Sequence, residues 1–179
     1  VVGCRVSQLS SPSFGALVRV PLASDTQIFG LIYDIHIDDD GLVRQLVTAE
    51  GIDDAVIQDN RENRNIPLEI SVQAVGYEQN GQILHLLPPR PPLSLDKIYL
   101  CGASDICLFT APGLAQRSSG QPGNVRGRFG YFRHILGAKE LPAAELLAAH
   151  IRQAHQAHQS HGQPGWAQQA TQELITLLR

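Results

Sequence analysis

Residues 67–100, PLEISVQAVGYEQNGQILHLLPPRPPLSLDKIYL, carry the alternation from which the fold is read. Leu68, Ile70, Val72 and Ala74 recur at period two with Glu69, Ser71 and Gln73 between them, the pattern of a strand with one apolar face. Asn80-Gly81 supplies the two positive-φ positions that a two-residue type I′ turn requires, so a hairpin is expected there. Ile83, Leu84, Leu86 and Leu87 form the returning strand. Pro88-Pro89-Arg90-Pro91-Pro92 lacks most backbone donors and is expected to cross an edge or rim as an extended strap. Ile98-Tyr99-Leu100-Cys101 then re-enters a sheet.

Towards the N-terminus, Val2, Cys4 and Val6 alternate, and residues 14–20 (FGALVRV) and 28–37 (IFGLIYDIHI) read as two further strands. Gly30 marks a bulge or a point of close packing. Residues 38–41 (DDDG) read as a loop, residues 42–48 fit a strand or a short helix, and residues 53–57 fit a helical turn. Short strands separated by turns predict a small closed β-barrel, because closure removes exposed edges. Towards the C-terminus, residues 103–109 fit either strand or helix, and residues 112–127 are rich in Gly, Ser, Gln and Pro, as in a linker or long loop. Pro142 suits a first helical turn, and Leu147, Ile151 and Ala154 form an apolar stripe behind it. His161-Gly162 closes that helix, and Pro164 opens another with Trp166, Ala170, Leu174, Leu177 and Leu178 at helical spacing. The expected fold is mainly β with an α tail. A closed barrel spans 1–110, a linker 111–128 and a helical region 129–179, which ends in a hairpin.

With 179 residues and 43% apolar content, the chain can bury one good core. A net charge of −3 gives no global case for nucleic acid or an anionic membrane, so such a claim rests on local stretches. No apolar run approaches the roughly 20 residues that span a bilayer, and no signal-peptide pattern is present. Cys4, Cys101 and Cys107 lie in apolar sequence, which suits buried thiols in a reducing cytoplasm.

The chemistry-bearing motifs are few. Asp38-Asp39-Asp40-Gly41 lacks the alternating ligands and distal glutamate of an EF-hand loop, and is taken as a solvated hairpin loop. His150, His155, His158 and His161 share one helical arc. They suit either a shared metal or hydrogen bonding along a partly buried face, and the second reading is preferred. Cys101 and Cys107 make neither a zinc ribbon nor a redox pair, and Asp34 and His36 share one side of a strand without a nucleophile. Neither lysine follows a glycine, so no phosphate loop is present and ordinary P-loop nucleotide hydrolysis is not available. No catalytic residue, cofactor or metal is expected. Arg117, Arg126, Arg128 and Arg133 interleave with Phe129, Tyr131 and Phe132, a pattern in which arginines hold phosphates while rings stack bases. This is the strongest local nucleic-acid signal. Its alternative is that the arginines are solvated and the rings dock the linker onto the barrel.

The opening segment and the strap together resemble the HAS barrel, the small β-barrel of HerA-type DNA-translocating ATPases and of the α and β subunits of ATP synthase. The resemblance is carried by Ser11-Pro12-Ser13-Phe14, by residues 29–35 (FGLIYDI), and by Ala74-Val75-Gly76-Tyr77 followed by the proline strap and Ile98-Tyr99-Leu100. It covers roughly residues 1–110 and implies a ring-assembling module that is not itself catalytic. The motor domain of the ATPases has no counterpart in the sequence. The resemblance therefore implies a free-standing adaptor that docks onto a larger protein complex, such as a HerA-type ring, or onto further copies of itself. Pro88, Pro89, Arg90, Pro91, Pro92 and, on the helical hairpin, Trp166 are the expected contacts.

Overall fold

The computed structural model describes residues 2–6, 12–22, 25–37, 53, 55, 58, 66–111 and 126–179. Its strands are β1 (Val2–Val6), β2 (Leu17–Leu22), β3 (Thr26–Ile37), β4 (Ile66–Gln79), β5 (Gln82–Leu84) and β6 (Tyr99–Leu100). After β6 the described residues form helices α1 (Ala103–Thr110), α2 (Phe132–Leu136), α3 (Ala143–Ser160) and α4 (Trp166–Leu177). The DDDG loop and the segment 42–48 lie outside the described residues, as does most of the expected linker.

The strands form one antiparallel sheet in the order β1-β4-β3-β2-β6, with β5 also paired to β4. The Asn80-Gly81 turn has φ of 51° and 75° and sets Gln79 opposite Gln82. Gly30 sits at a register shift between β3 and β4, where a Cβ would collide with the side chain of Val72. The returning strand stops at Leu84, and the chain then passes through His85 into the strap.

The closed barrel expected from the sequence is corrected by this topology. Among the described residues no ladder joins β1 to β6, so the sheet is open. Helices cover the face that a barrel would turn towards its own strands. Leu17, Phe29, Leu31 and Val75 of the sheet share one core with Phe109, Tyr131, Leu146 and Trp166 of the helical layer. Phe29 and Phe109 meet with ring centroids 4.8 Å apart. The ambiguous segment 103–109 is a helix, α1, started by Asp105, whose carboxylate accepts the Gly102 N–H at 3.1 Å. The opposite face of the sheet carries a smaller cluster of Ala16, Val18, Ile32 and Ile70, against which Ile98 of the strap packs.

The helical stripe is confirmed in its main positions. Leu147, Ala154, Trp166 and Ala170 are buried, whereas Leu178 is exposed beyond the end of α4. Among the described residues no helix is long and apolar enough to cross a membrane.

Candidate functional site

The strap presents apolar side chains outward. Six of the nine large apolar residues that stand exposed among the described residues fall between Leu86 and Leu100, so the exposure is local and not a general property of the surface. Pro88 is half-buried, while Pro89, Arg90, Pro91 and Pro92 are exposed. The chain bends at Pro89 and Arg90, so the expected extended strap is not straight. It then closes a turn over residues 93–96. The Leu93 N–H donates to the Asp96 carboxylate at 2.7 Å, and the Asp96 N–H donates to the Leu93 carbonyl at 3.2 Å. Within this turn Leu95 has φ of 75°, and its side chain is 100% exposed. A leucine in the left-handed region costs about 1–2 kcal/mol, and its exposure returns nothing inside the chain. Beside the turn, a cleft of about 590 Å³ runs between the strap and Val18, Val20, Ile28 and Val72.

A second concavity, of about 910 Å³, lies on the helical side. Its floor is the segment 126–130, its walls the end of β5 and one face of α4. The Gly127 N–H donates to Gln169 Oε1 at 2.8 Å, and the Arg128 N–H donates to the Thr110 carbonyl at 2.7 Å. Pinned in this way, the segment alternates. Gly127 and Phe129 turn inward, and Arg126 and Arg128 turn out.

The helix histidines separate into two kinds. His150 is wholly buried, with Nδ1 at 3.3 Å from the Gly15 carbonyl and Nε2 at 3.0 Å from the Tyr131 hydroxyl. His158 is also buried. It meets Thr110 Oγ1 at 2.7 Å and Gln163 Oε1 at 3.1 Å, and its ring stacks on Trp166. His155 is half-buried and His161 exposed. His85, outside that helix, donates Nε2–H to the Phe109 carbonyl at 2.9 Å and accepts the His134 Nε2–H on its own backbone carbonyl at 3.0 Å. Burial lowers His85 and His150 to about 4 and also lowers His158, so these rings are neutral near pH 7. The same cause pushes the Cys101 thiol up to about 12 and that of Cys107 up to about 11, far from an activated nucleophile.

The Asp34–His36 pair has a third member that the sequence pattern missed. His36 bonds Glu69 at 2.8 Å and Asp34 at 3.3 Å, and the hydrogen bond to Glu69 is the main cause of its raised pKa. Glu69 stands opposite His36 in the β3–β4 register, a pairing visible only once the strands are aligned. The cluster is exposed and has no neighbouring nucleophile among the described residues.

The remaining expected site residues are dispersed. Trp166 is only 2% exposed and sits in the core, because Phe129, His158 and Ala170 surround its side of α4. It is therefore not available at the surface. Phe129 and Tyr131 are buried as well, leaving neither ring open to stack a base in the way the arginine–aromatic pattern requires. Arg126 and Arg128 share the second concavity, Arg133 is exposed outside it, and Arg117 lies outside the described residues. No family model matches the chain, and no curated protein matches it.

Proposed function

We propose that this chain is a non-catalytic module that docks onto a larger protein through the strap and its turn. The observation that carries this reading is Leu95, held in a left-handed backbone conformation with its whole side chain in solvent. An apolar residue kept at a conformational cost, beside a concentration of other exposed leucines, is the form that a buried anchor of an interface takes before its partner arrives. The charge of the strap narrows the partner. Arg90 and Lys97 are exposed and outnumber the one carboxylate of the segment, Asp96, so the matching surface has an apolar pocket with an acidic rim. The buried, hydrogen-bonded histidines and raised thiols support a role without catalysis. The free Cys101 and Cys107 support a reducing compartment, the cytoplasm. A HerA-type ring as the partner was implied by a closed barrel, and the open sheet removes that support.

The test is affinity purification of the full chain from its native source, wild type beside Leu93→Ser/Leu95→Ser and a Leu178→Ser control. A stoichiometric partner held by wild type and control but lost by the double variant is the expected result. Equal capture by all three, or a clean monomer with no partner, overturns the reading.

A further inference from the structure

We infer that the concavity over residues 126–130 binds a phosphate-bearing ligand of nucleotide size, at a site that adjoins the docking strap only at Leu86. Arg126 and Arg128 stand two positions apart on a segment without regular secondary structure, and both are exposed and line the concavity, while Gly127 and Phe129 beside them are buried. Two backbone hydrogen bonds, to Gln169 and Thr110, hold that segment in place. Arg128 is oriented further, since Nη1 donates to the Ile83 carbonyl at 3.3 Å, and its remaining donors are left to a ligand. A guanidinium held in this way suits a phosphate, which it meets through two parallel N–H donors.

The walls define the rest of the ligand. On one side Leu84 and Leu86 and the edge of Phe129 give an apolar surface. On the other, Gln168, Gln172 and Glu173 of α4 present amides and one carboxylate. Two guanidinium groups against one carboxylate leave the concavity net positive, so it favours an anion, while Glu173 accepts from a donor elsewhere on the same molecule. The volume of about 910 Å³ lies within the range of roughly 300–1,000 Å³ typical of small-ligand sites. An anionic head, an apolar body and hydrogen-bonding edges are together compatible with a nucleotide, whose base would lie against Leu84 and Leu86 without stacking on a ring.

A second observation also indicates a missing donor. His85 is 7% exposed, lines the concavity, and donates Nε2–H to Phe109, which leaves Nδ1 a buried acceptor without a partner. Gly130 is the residue over it, and a Cβ there would lie 3.6 Å from Nδ1. An unmet buried acceptor costs about 1–3 kcal/mol, and because Gly130 closes over Nδ1, a hydroxyl or amino group of the ligand meets it only when Gly130 shifts aside. With no phosphate loop in the sequence, the site binds and does not follow P-loop hydrolysis.

Isothermal titration of the full chain at low ionic strength tests the site, with adenosine 5′-monophosphate, inorganic phosphate and a ten-residue thymidine oligonucleotide as probes. Saturable binding of the nucleotide is expected, weakened at least about tenfold in Arg126→Ala/Arg128→Ala and unchanged in Arg133→Ala. The single variant Arg126→Ala, whose side chain is exposed, guards against loss of fold and is expected to weaken binding in the same direction. Tighter binding of the oligonucleotide, lost in the same variants, also supports the site and assigns the phosphate to a single strand. Inorganic phosphate binding as tightly as the nucleotide, no saturable binding of any probe, or equal binding by the double variant overturns the inference.

Discussion

The hydroxyl of Tyr131 lies 3.0 Å from Nε2 of His150, in the interior between the sheet and the helices. Because Nδ1 of the same ring faces the Gly15 carbonyl, it carries the proton, and Nε2 accepts from the tyrosine. One imidazole in one tautomer thus ties α3 both to the loop before β2 and to the residue that starts α2. Burial raises the Tyr131 pKa well above its usual value, so the phenol remains a donor across the working pH range.

Tyr131→Phe keeps the ring and removes that donor. The variant is expected to lose about 1–3 kcal/mol, the cost of an unmet buried acceptor, with little change in secondary structure. Urea unfolding followed by circular dichroism measures it. An unchanged midpoint contradicts the claim that this buried hydrogen bond stabilises the fold.

Acid sensitivity follows from the buried imidazoles. His85 and His150 have folded pKa values of about 4, below the 6.5 expected on unfolding, so the unfolded chain binds more protons between those limits. Stability from their neutral burial is therefore complete above pH 6.5 and is lost as pH falls towards 4. The loss is about 2 kcal/mol for each ring at pH 5 and about 3 by pH 4. His36 works in the opposite sense, since its pKa is raised, but it lies exposed between two surface carboxylates. Unfolding midpoints at pH 7.5 and pH 5 check the balance, and equal stability at the two values contradicts it.

Gly15 and Gly81 have similar positive φ angles, 79° and 75°, in different surroundings. A Cβ at Gly15 would lie 2.7 Å from the Ala149 Cβ, whereas nothing lies within 4 Å of one at Gly81. Gly81→Ala is expected to cost about 1 kcal/mol from conformation alone, and Gly15→Ala about 2–4 kcal/mol because α3 must also shift. Thermal unfolding of the two variants side by side separates the terms. Equal losses would show that the close approach of α3 to this loop contributes nothing.

Much of the fold was legible locally. Asn80-Gly81 could serve only a tight hairpin, and the spacing of Leu147, Ala154, Trp166 and Ala170 described a helical stripe whichever surface it met. The closure of the sheet was not legible, for a physical reason. Leu17 and Val18 are both buried on opposite faces, so β2 shows no clean alternation, and a face covered by helices has the same pattern as a barrel interior. Trp166, expected as a partner contact, is buried against the chain's own core for a related reason, because a stripe gives a direction without saying what lies there. The alternation of Gly127 and Phe129 with Arg126 and Arg128 was present in the sequence. That the rings point inward depended on Trp166 and Thr110, which are distant in the chain.

Leu95→Gly removes the exposed anchor of the strap and its backbone cost together. The isolated variant is expected to be more stable by about 0.5–1 kcal/mol, as relief at positive φ outweighs the added freedom of glycine when unfolded, while capture of the protein partner is lost. A variant that captures its partner as well as wild type, or one whose unfolding midpoint falls, contradicts the claim that Leu95 is held outward for docking.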